Sequence, residues 1–257
     1  MSPADPILRI TGLSKRFGGL VAVDDVSFDV ERGRVFALIG PNGAGKTTVF
    51  NMVTGLFPPT SGRIEFEGRN ITGSRLHQVV RQGIARTFQN IRLFDYMSAL
   101  DNVRVGQHCR MRAKIWDAVL KTPYERAEER AVEERAWELL RFVGIERQAH
   151  NYARNLPYGQ QRRLEIARAL ATNPRLILLD EPAAGFNPQE KVGLMRLIER
   201  LIGQGITVFL IEHDMKVVMG IASRIVVLDH GEGIADGPPD EVRQNRRVIE
   251  AYLGRSA

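Results

Sequence analysis

The glycine-rich segment Gly40–Thr47 constrains the fold of this chain more than any other segment. It reads Gly-Pro-Asn-Gly-Ala-Gly-Lys-Thr and directly follows the apolar run Val35–Ile39. This is the pattern G-x-x-x-x-G-K-[ST], in which a buried strand enters a loop and a helix follows. Glycines let the main chain wrap around phosphate oxygens with its N–H groups pointing inward. The pattern therefore predicts an α/β chain that binds a nucleoside triphosphate.

The individual residues of this loop have separate expected roles. We expect the Lys46 ammonium to reach the β- and γ-phosphates and the Thr47 hydroxyl to bind Mg²⁺. The helix N-terminus that follows adds partial positive charge. The alternative is a glycine-rich turn in an unrelated α/β protein, which the strand before and the helix after it disfavour. The predicted phosphate-binding residues are Gly40, Pro41, Asn42, Gly43, Ala44, Gly45, Lys46, Thr47 and Thr48.

Length, composition and charge narrow the class of protein. The 257 residues, 44% hydrophobic and 26% charged, are typical of a globular protein with a substantial core. No apolar run approaches the roughly 20 residues that cross a bilayer, and Met1–Pro6 does not resemble a signal peptide, so we expect a cytosolic chain. The single Cys109 excludes an internal disulfide.

The net charge of +6 is compatible with three kinds of partner: nucleic acid, an anionic membrane surface, or bound phosphates. The arginines are scattered along the chain and only 7% of the residues are aromatic. Proteins that bind single strands combine a basic groove with stacked aromatic side chains. The composition therefore disfavours nucleic acid.

Two kinds of apolar pattern predict two kinds of sheet. The runs 7–10, 22–30 and 63–68 are short or alternate between apolar and polar residues, and turns lie beside them. This pattern predicts antiparallel strands with one solvated face. The runs 176–179 and 207–211 are continuously apolar, as expected of parallel strands covered on both faces. We expect a helix between these two at 190–202 and a final strand at 225–228.

Residues 107–144 have a different, helical composition. The stretch 125–142 is rich in Ala, Glu and Arg with a partly apolar stripe, and the turn Lys121–Tyr124 is expected to separate it from an earlier helix. A further helix is predicted at 164–171. A small basic cluster precedes the turn; it is interpreted as a solvated face, with membrane headgroups as the alternative. Its members are Arg110, Arg112 and Lys114.

Two acidic residues, Asp180 and Glu181, end the first continuously apolar strand. The carboxyl ends of parallel strands form the crevice in which such sheets bind ligands. We expect Asp180 to hold Mg²⁺ and Glu181 to orient and polarise the water that attacks the γ-phosphate. The alternative is an acidic turn that merely caps the strand.

The order of motifs resembles the ATP-binding cassette ATPases over essentially the whole chain. After the phosphate loop come Gln89, the L-x-x-G-Q segment Leu156–Gln160, the run Leu-Leu-Asp-Glu and finally His213. The resemblance implies a P-loop ATPase core with a mostly parallel sheet flanked by helices, an antiparallel β subdomain and a helical insertion. We expect a single nucleotide-binding domain over 1–257, in which the core with the β subdomain comprises 7–90 and 165–257 and the helical subdomain 91–164.

The resemblance also implies roles for residues outside the phosphate loop. Phe17 matches the aromatic residue that stacks on adenine, although a lone ring is also typical of a core or a turn. Gln89 matches the residue that touches Mg²⁺ and senses the γ-phosphate, in a loop that can act as a hinge. His213 matches the histidine that hydrogen-bonds the γ-phosphate and steadies the water with Glu181. The γ-phosphate of the ATP bound to the opposing subunit is expected to be contacted by Tyr158, Gly159 and Gln160.

Two departures from the family pattern concern that opposing ATP. Pro157 and Tyr158 replace the usual Ser and Gly, which removes a hydroxyl, and proline supplies no N–H in its place. Asn187 stands in the following loop where an aspartate is usual, so it can hydrogen-bond across a dimer but carries no charge. A partner cassette with a standard signature would complete one of two unequal sites.

Three segments are similar to the LivG-type ATPase subunits of bacterial branched-chain amino acid importers: Arg86–Phe94, Tyr158–Ala167 and Val248–Gly254. This likeness implies a peripheral protein at the cytoplasmic face of the inner membrane. Its expected ligands are ATP and Mg²⁺. Its expected partners are two transmembrane permease subunits, a second cassette and, indirectly, a periplasmic solute-binding protein, with no nucleic acid.

Three alternatives remain open from the sequence. The chain could be the cassette of a urea, short-amide or lipid transporter. It could be a soluble cassette protein of DNA repair or translation, but those usually carry two cassettes or a long coiled-coil insertion, whereas this chain has one phosphate loop and a short insertion. It could be a P-loop kinase, in which case the segment Leu156–Gln160 would have no function.

Overall fold

The computed structural model describes residues 5–109 and 123–253. The chain divides into two compact units, the first made of residues 1–79 and 175–257 and the second of residues 80–174. The predicted helical subdomain, 91–164, lies inside the second unit. The predicted basic cluster at 110–114 lies outside the described residues, as do the first two residues of the turn expected at 121–124.

The first unit contains an antiparallel sheet with the strand order β2-β1-β4-β5. The turn Gly18-Gly19 joins its first two strands, and both strands extend further towards this turn than the predicted runs 7–10 and 22–30. Along the second strand Val26, Phe28 and Val30 are buried and alternate with more exposed residues. Its strands are β1 Leu8–Phe17, β2 Leu20–Val30, β4 Ser61–Phe66 and β5 Arg69–Asn70.

The same unit contains a mostly parallel sheet, in which the strands run in the order β10-β9-β3-β8-β7. The pairs β3–β8, β3–β9 and β7–β8 are parallel. Every residue of β3, β7 and β8 is buried, which confirms the prediction from their continuous apolar runs. The strands are β3 Val35–Ile39, β7 Leu176–Asp180, β8 Thr207–Ile211, β9 Arg224–Asp229 and β10 Glu232–Gly237.

The expectation that the strand at 225–228 would be the last was wrong. β10 follows it and pairs with β9 in antiparallel register, with Glu232 opposite Asp229 and Gly237 opposite Ile225. The segment has two glycines and two acidic residues in six positions and is mostly exposed or half-buried. Its strand conformation therefore comes from hairpin pairing with β9, which leaves no apolar pattern in the sequence.

Helices pack on the sheets of the first unit around an aromatic core. The rings of Phe28, Phe36, Phe50 and Phe209 lie with centroids 4.7–5.7 Å apart in four contacting pairs. One helix, α2, crosses from the first unit into the second. The helices are α1 Lys46–Val53, α2 Leu76–Gln82, α6 Pro188–Gly203, α7 Met215–Ile221, α8 Pro239–Gln244 and α9 Arg246–Leu253.

The second unit is mainly helical. The Ser98 hydroxyl caps α3 by accepting a hydrogen bond from the Asp101 N–H at 3.0 Å. No helix among residues 5–109 and 123–253 is long and apolar enough to cross a membrane. The elements are β6 Ile84–Arg86, α3 Ala99–Gly106, α4 Pro123–Val143, α5 Tyr158–Leu170 and the 3₁₀ turns Glu146–Gln148 and Ala153–Asn155.

Helix α5 begins six residues earlier than the predicted start at Leu164. Pro157 has an extended backbone, and its carbonyl accepts a hydrogen bond from the Gln161 N–H at 3.0 Å. A proline directly before a helix leaves the first turn free to form, and a glycine in that turn is tolerated. The residues predicted to contact the opposing ATP therefore form the first turn of a helix rather than a loop before it: Tyr158, Gly159 and Gln160.

Candidate phosphate-binding and hydrolysis site

The phosphate loop connects β3 to α1, and two of its glycines are required by their surroundings. Gly40 has φ 148° and Gly45 has φ 98°, conformations that other residues rarely adopt. A Cβ on Gly40 would lie 2.1 Å from the Leu228 carbonyl oxygen, and one on Gly45 would lie 2.5 Å from that of Ala22. The structure places the other predicted loop residues in the same turn and at the start of α1: Pro41, Asn42, Gly43, Ala44, Thr47 and Thr48.

The Lys46 side chain folds over this loop. Its Nζ donates hydrogen bonds to the carbonyl oxygens of Gly40 at 2.7 Å and Pro41 at 2.8 Å. Burial lowers the pKa of Lys46, while the charges of Glu181 and Asp180 act in the opposite direction. The ammonium therefore lies in the electrostatic range of both predicted acidic residues.

Asp180 and Glu181 lie at the carboxyl end of the buried strand β7. Asp180 is 2% exposed and pairs with Ile211 of β8. Glu181 has φ 47°, a left-handed conformation that costs a non-glycine residue about 1–3 kcal/mol. Its N–H donates to the Ile211 carbonyl oxygen at 2.9 Å, so the neighbouring strand holds the strained residue in place.

His213 follows β8 and lies beside Glu181. Its Nδ1 is 3.7 Å from Glu181 Oε2, and its side chain is 62% exposed. The structure therefore brings together the two residues predicted to act on the attacking water, at the same edge of the sheet. The exposed imidazole leaves room for a ligand in front of both groups.

A third acidic residue, Glu212, supports this pair and was missed in the sequence. Its buried carboxylate accepts hydrogen bonds from the Ala183 N–H at 3.0 Å and the His213 N–H at 2.9 Å. Burial raises the pKa of Glu212, against the effect of these hydrogen bonds. The signal in the sequence is a carboxylate at the end of a continuously apolar strand, the same signal that singled out Asp180.

Phe17 lies near the end of β1 with 45% of its surface exposed. Its ring packs edge-on against Phe57, with centroids 5.3 Å apart, and the Lys15 Nζ lies 5.1 Å from the Phe17 centroid. An exposed ring fixed by a neighbouring ring is suited to stacking. Its contact with adenine stays a prediction.

Gln89 and the signature residues belong to the second unit. Gln89 is exposed, and its carbonyl oxygen accepts a hydrogen bond from the Arg162 Nη2 at 2.7 Å. Tyr158, the first residue of α5, is also exposed and its hydroxyl lies 3.1 Å from the same nitrogen. These two predicted contacts with the γ-phosphate are thus linked through one arginine.

The donors predicted for Mg²⁺ fit that ion. Thr47 offers a hydroxyl, Gln89 a carboxamide oxygen and Asp180 a carboxylate, all hard oxygen donors. Among the described residues there is no cluster of three His, Cys, Asp or Glu side chains that could hold a metal ion. Mg²⁺ is usually bound by one or two carboxylates together with phosphate oxygens, and Asp180 offers one carboxylate.

Asn187 caps helix α6 with its side chain. Its Oδ1 accepts a hydrogen bond from the Glu190 N–H at 2.9 Å, and the Glu190 carboxylate accepts one from the Asn187 N–H at 2.9 Å. This is a complete capping box. An aspartate would make the same cap, which explains how asparagine can stand at this position.

The C-terminal helix α9 contacts the phosphate loop. The Tyr252 hydroxyl is hydrogen-bonded to the main chain of Gly40, and burial raises the pKa of Tyr252. A cleft beside this contact is lined by the loop, the β9–β10 turn and α9, with Asn42, His230 and Arg247 among its residues. No pattern in the sequence indicates that residues near the C-terminus contact the phosphate loop.

Two family models match this chain. The model described as "ABC transporter" matches residues 23–184. The model described as "Branched-chain amino acid ATP-binding cassette transporter" matches residues 234–257, the region that contains α9. The first match covers the phosphate loop, Gln89, the signature segment and the acidic pair in one continuous stretch.

Similar proteins cover the chain over nearly its full length. The high-affinity branched-chain amino acid transport ATP-binding protein BraF of Pseudomonas aeruginosa is 49% identical over 98% of this chain and 99% of its own length. The LivG protein of the same description from Escherichia coli is 46% identical over 98% of this chain and all of its own length.

Solved structures of cassettes share the fold. The ADP conformation of an ATP-binding cassette of an ABC transporter is 33% identical, with a TM-score of 0.85 over 97% of this chain and 99% of that one. A dimeric post-hydrolysis cassette with ADP and Pi is 27% identical, with a TM-score of 0.76 over 90% of this chain and 98% of that one. The predicted fold class is thereby confirmed, and the chain belongs to the ABC transporter family, as an ATP-binding cassette whose ATPase activity drives transport.

Proposed function

We propose that this chain is the ATP-hydrolysing subunit of a membrane importer of branched-chain amino acids. The observation that carries the proposal is the match of residues 234–257 to the branched-chain cassette family. Identities of 46–49% to two proteins named for this transport, over nearly the whole chain, support it independently.

The residues of the first unit suit phosphoryl transfer to water. Lys46 and the loop amides would hold the phosphates, where Lys46 now contacts two loop carbonyl groups. Glu181 and His213, 3.7 Å apart, would orient and polarise the water for in-line attack on the γ-phosphate. Such catalysis consists mainly of positioning and charge stabilisation. Mg²⁺ held by Thr47, Asp180 and Gln89 would neutralise phosphate charge.

The second ATP contact requires a second cassette. Tyr158, Gly159 and Gln160 would face the γ-phosphate of ATP bound to the opposing cassette, from the first turn of α5. A helix N-terminus suits this task because its free N–H groups attract anions. Because Pro157 offers neither a hydroxyl nor an N–H, we propose that the partner is a homologous cassette and that the two sites are unequal.

An aromatic patch in the second unit is the proposed contact for the permease. It consists of Phe94, Tyr96 and Tyr152, which are 48%, 74% and 49% exposed. The Arg154 guanidinium lies 4.4 Å from the Tyr96 ring centroid and 5.9 Å from that of Tyr152, which orders both rings. Exposed apolar clusters mark interaction surfaces, and two members of this one, Phe94 and Tyr96, follow Gln89 within seven residues. We propose that a helix at the cytoplasmic end of each of two permease subunits docks here.

In this account the cassette works at the cytoplasmic face of the inner membrane, and the amino acid never contacts it. A periplasmic binding protein would deliver the solute to the permease. The test is affinity purification of the full-length chain from solubilised membranes of its source, with copurifying proteins identified by mass spectrometry. We expect two polytopic permeases and a second cassette.

A matched pair of variants makes this test specific. Tyr96→Ala should lower permease recovery, whereas Val192→Ala, which truncates an exposed apolar residue of α6, should not. Recovery of urea, amide or lipid transport components would replace the substrate class in the proposal. Ribosomal or DNA-repair proteins without a permease would contradict the proposed transport role.

A further inference from the structure

A fully buried ion pair lies in helix α5, one turn after the signature residues. Arg162 Nη1 and Glu165 Oε2 are 2.9 Å apart, and their side chains are 0% and 2% exposed. Desolvation raises the pKa of Glu165, while Arg162 acts against this shift. Apolar residues of similar volume often stabilise a fold as well as a buried ion pair does. Stability alone therefore does not explain this ion pair, and its other contacts indicate what it does.

Most of the remaining hydrogen bonds of the pair go to the loop that carries Gln89. Arg162 Nη1 donates to the Phe88 carbonyl oxygen at 2.6 Å, and Nη2 donates to that of Gln89 at 2.7 Å. Glu165 Oε1 accepts a hydrogen bond from the Phe88 N–H at 3.2 Å, and a backbone hydrogen bond from Arg92 reaches the same carboxylate. The pair thus holds both main-chain polar groups of Phe88 and the carbonyl group of Gln89.

The same guanidinium contacts the signature segment. Arg162 Nη2 donates a hydrogen bond to the Tyr158 hydroxyl at 3.1 Å, and its Cζ lies 5.8 Å from the centre of the Tyr158 ring. Tyr158 and Arg162 are four residues apart in α5, so they share one face of the helix. One fixed group therefore joins the Gln89 loop to the residue at the front of the segment Tyr158–Gln160.

We propose that Arg162 and Glu165 are positioning residues for ATP hydrolysis. They hold the Gln89 loop and the segment Tyr158–Gln160 at fixed positions relative to each other. When the contacts of Gln89 with the cassette's own ATP change, the contacts of Tyr158–Gln160 with the opposing ATP therefore change with them. Neither residue touches nucleotide in this account; both act through the main chain and Tyr158. The inference rests on the roles proposed above for Gln89 and for Tyr158–Gln160.

The test replaces both charges with apolar groups of similar size in the full-length chain. The double variant Arg162→Met/Glu165→Leu removes both charges together, so neither member of the pair is left as an unpaired buried charge and we expect it to fold. Its Tm should fall moderately, because the main-chain groups of Phe88 and Gln89 lose their hydrogen-bond partners. We expect faster hydrogen exchange at the Phe88 amide and a fall of about 10- to 100-fold in kcat for ATP hydrolysis, because misplaced catalytic groups lower rates by this order. The Kd for MgATP of the monomer should change less than about threefold, because Lys46 and its loop are untouched.

Further variants test this inference separately from the proposed roles on which it rests. Gln89→Ala must lower kcat in the same assay; if it does not, the role of Gln89 fails and this inference fails with it. If Gln89→Ala lowers kcat but the double variant keeps the wild-type kcat, the positioning role alone is overturned. The same conclusion follows if Gln89→Ala lowers kcat but hydrogen exchange at the Phe88 amide is unchanged in the double variant. Should the double variant not fold, Arg162→Lys keeps the charge beside Glu165 but cannot bridge both carbonyl oxygens, and it should show the same loss of kcat.

Discussion

At the residue scale, the backbone of Glu181 and the hydrogen bonds of Glu212 hold the main chain beside the two residues that we propose act on the attacking water. Glu181 adopts φ 47° directly after a buried strand, and Glu212 fixes the main chain of both Ala183 and His213. Strained residues persist where the surroundings determine them and are concentrated at functional sites. The left-handed backbone of Glu181 therefore agrees with the catalytic role that we propose for this residue, whose Oε2 lies 3.7 Å from the His213 Nδ1.

Glu181→Gln should separate ATP binding from hydrolysis. The amide keeps the shape of the side chain but cannot accept a proton, so kcat should fall by about 100- to 10,000-fold while the Kd for MgATP stays near wild type. Phosphate release and fluorescent-nucleotide binding measure the two quantities. Glu199→Gln, which changes an exposed carboxylate of α6, is the matched control. Equal hydrolysis by wild type and Glu181→Gln would contradict the assigned role.

Glu212 should make stability depend on pH in an unusual direction. Burial raises its pKa in the folded state above the ordinary 4.5, so the folded protein binds more protons than the unfolded chain in this pH range. The free energy of unfolding should therefore fall as pH rises from about 4.5 through the raised pKa. Urea unfolding of wild type and Glu212→Gln measures this contribution, because glutamine does not titrate. A difference between the two proteins that is independent of pH would contradict the raised pKa.

At the scale of elements, the buried strands and the phosphate loop could be predicted because each leaves a local pattern. β3, β7 and β8 each contain a run of at least four consecutive apolar residues and are buried throughout, and the glycines at 40 and 45 are needed by their own backbone angles. β10 could not be predicted because it is held by pairing with β9. The early start of α5 was missed because Pro157 and Gly159 were interpreted as a loop, although a proline directly before a helix is favourable.

The cap of α6 gives a test at this scale. Asn187→Ala removes the hydrogen bond to the Glu190 N–H and should cost about 1 kcal/mol of unfolding free energy. Asn187→Asp keeps the acceptor and adds negative charge at the helix N-terminus, so it should be at least as stable as wild type. Urea unfolding measures both. An alanine variant as stable as wild type would show that the capping box does not stabilise the helix.

The parts of the site that could not be predicted from the sequence depend on contacts between residues far apart in the chain. Glu212 and Ala183 are 29 residues apart, Arg162 and Phe88 are 74 apart, and Tyr252 reaches Gly40 from the far end of the chain. No periodicity or spacing encodes such pairs. By contrast, Lys46 could be chosen because it belongs to a recognisable phosphate-loop pattern. Asp180, Glu181 and His213 could be chosen because each lies at or just after the carboxyl end of a recognisable buried strand, where parallel sheets bind ligands.

At the scale of the whole molecule, the residues predicted to bind and hydrolyse ATP belong to two compact units. The phosphate loop, the acidic pair and His213 belong to the first, and Gln89 with the signature segment to the second. The solute specificity belongs to other subunits in this account.

The most direct test of the account is uptake of labelled leucine by cells of the source in which this chain is replaced by the Glu181→Gln variant. The account predicts that uptake falls to the level of cells lacking the chain, while the variant still copurifies with its permeases. The matched Glu199→Gln replacement should transport normally. Undiminished leucine uptake in the Glu181→Gln cells, with the uptake of another solute lost, would contradict the central claim.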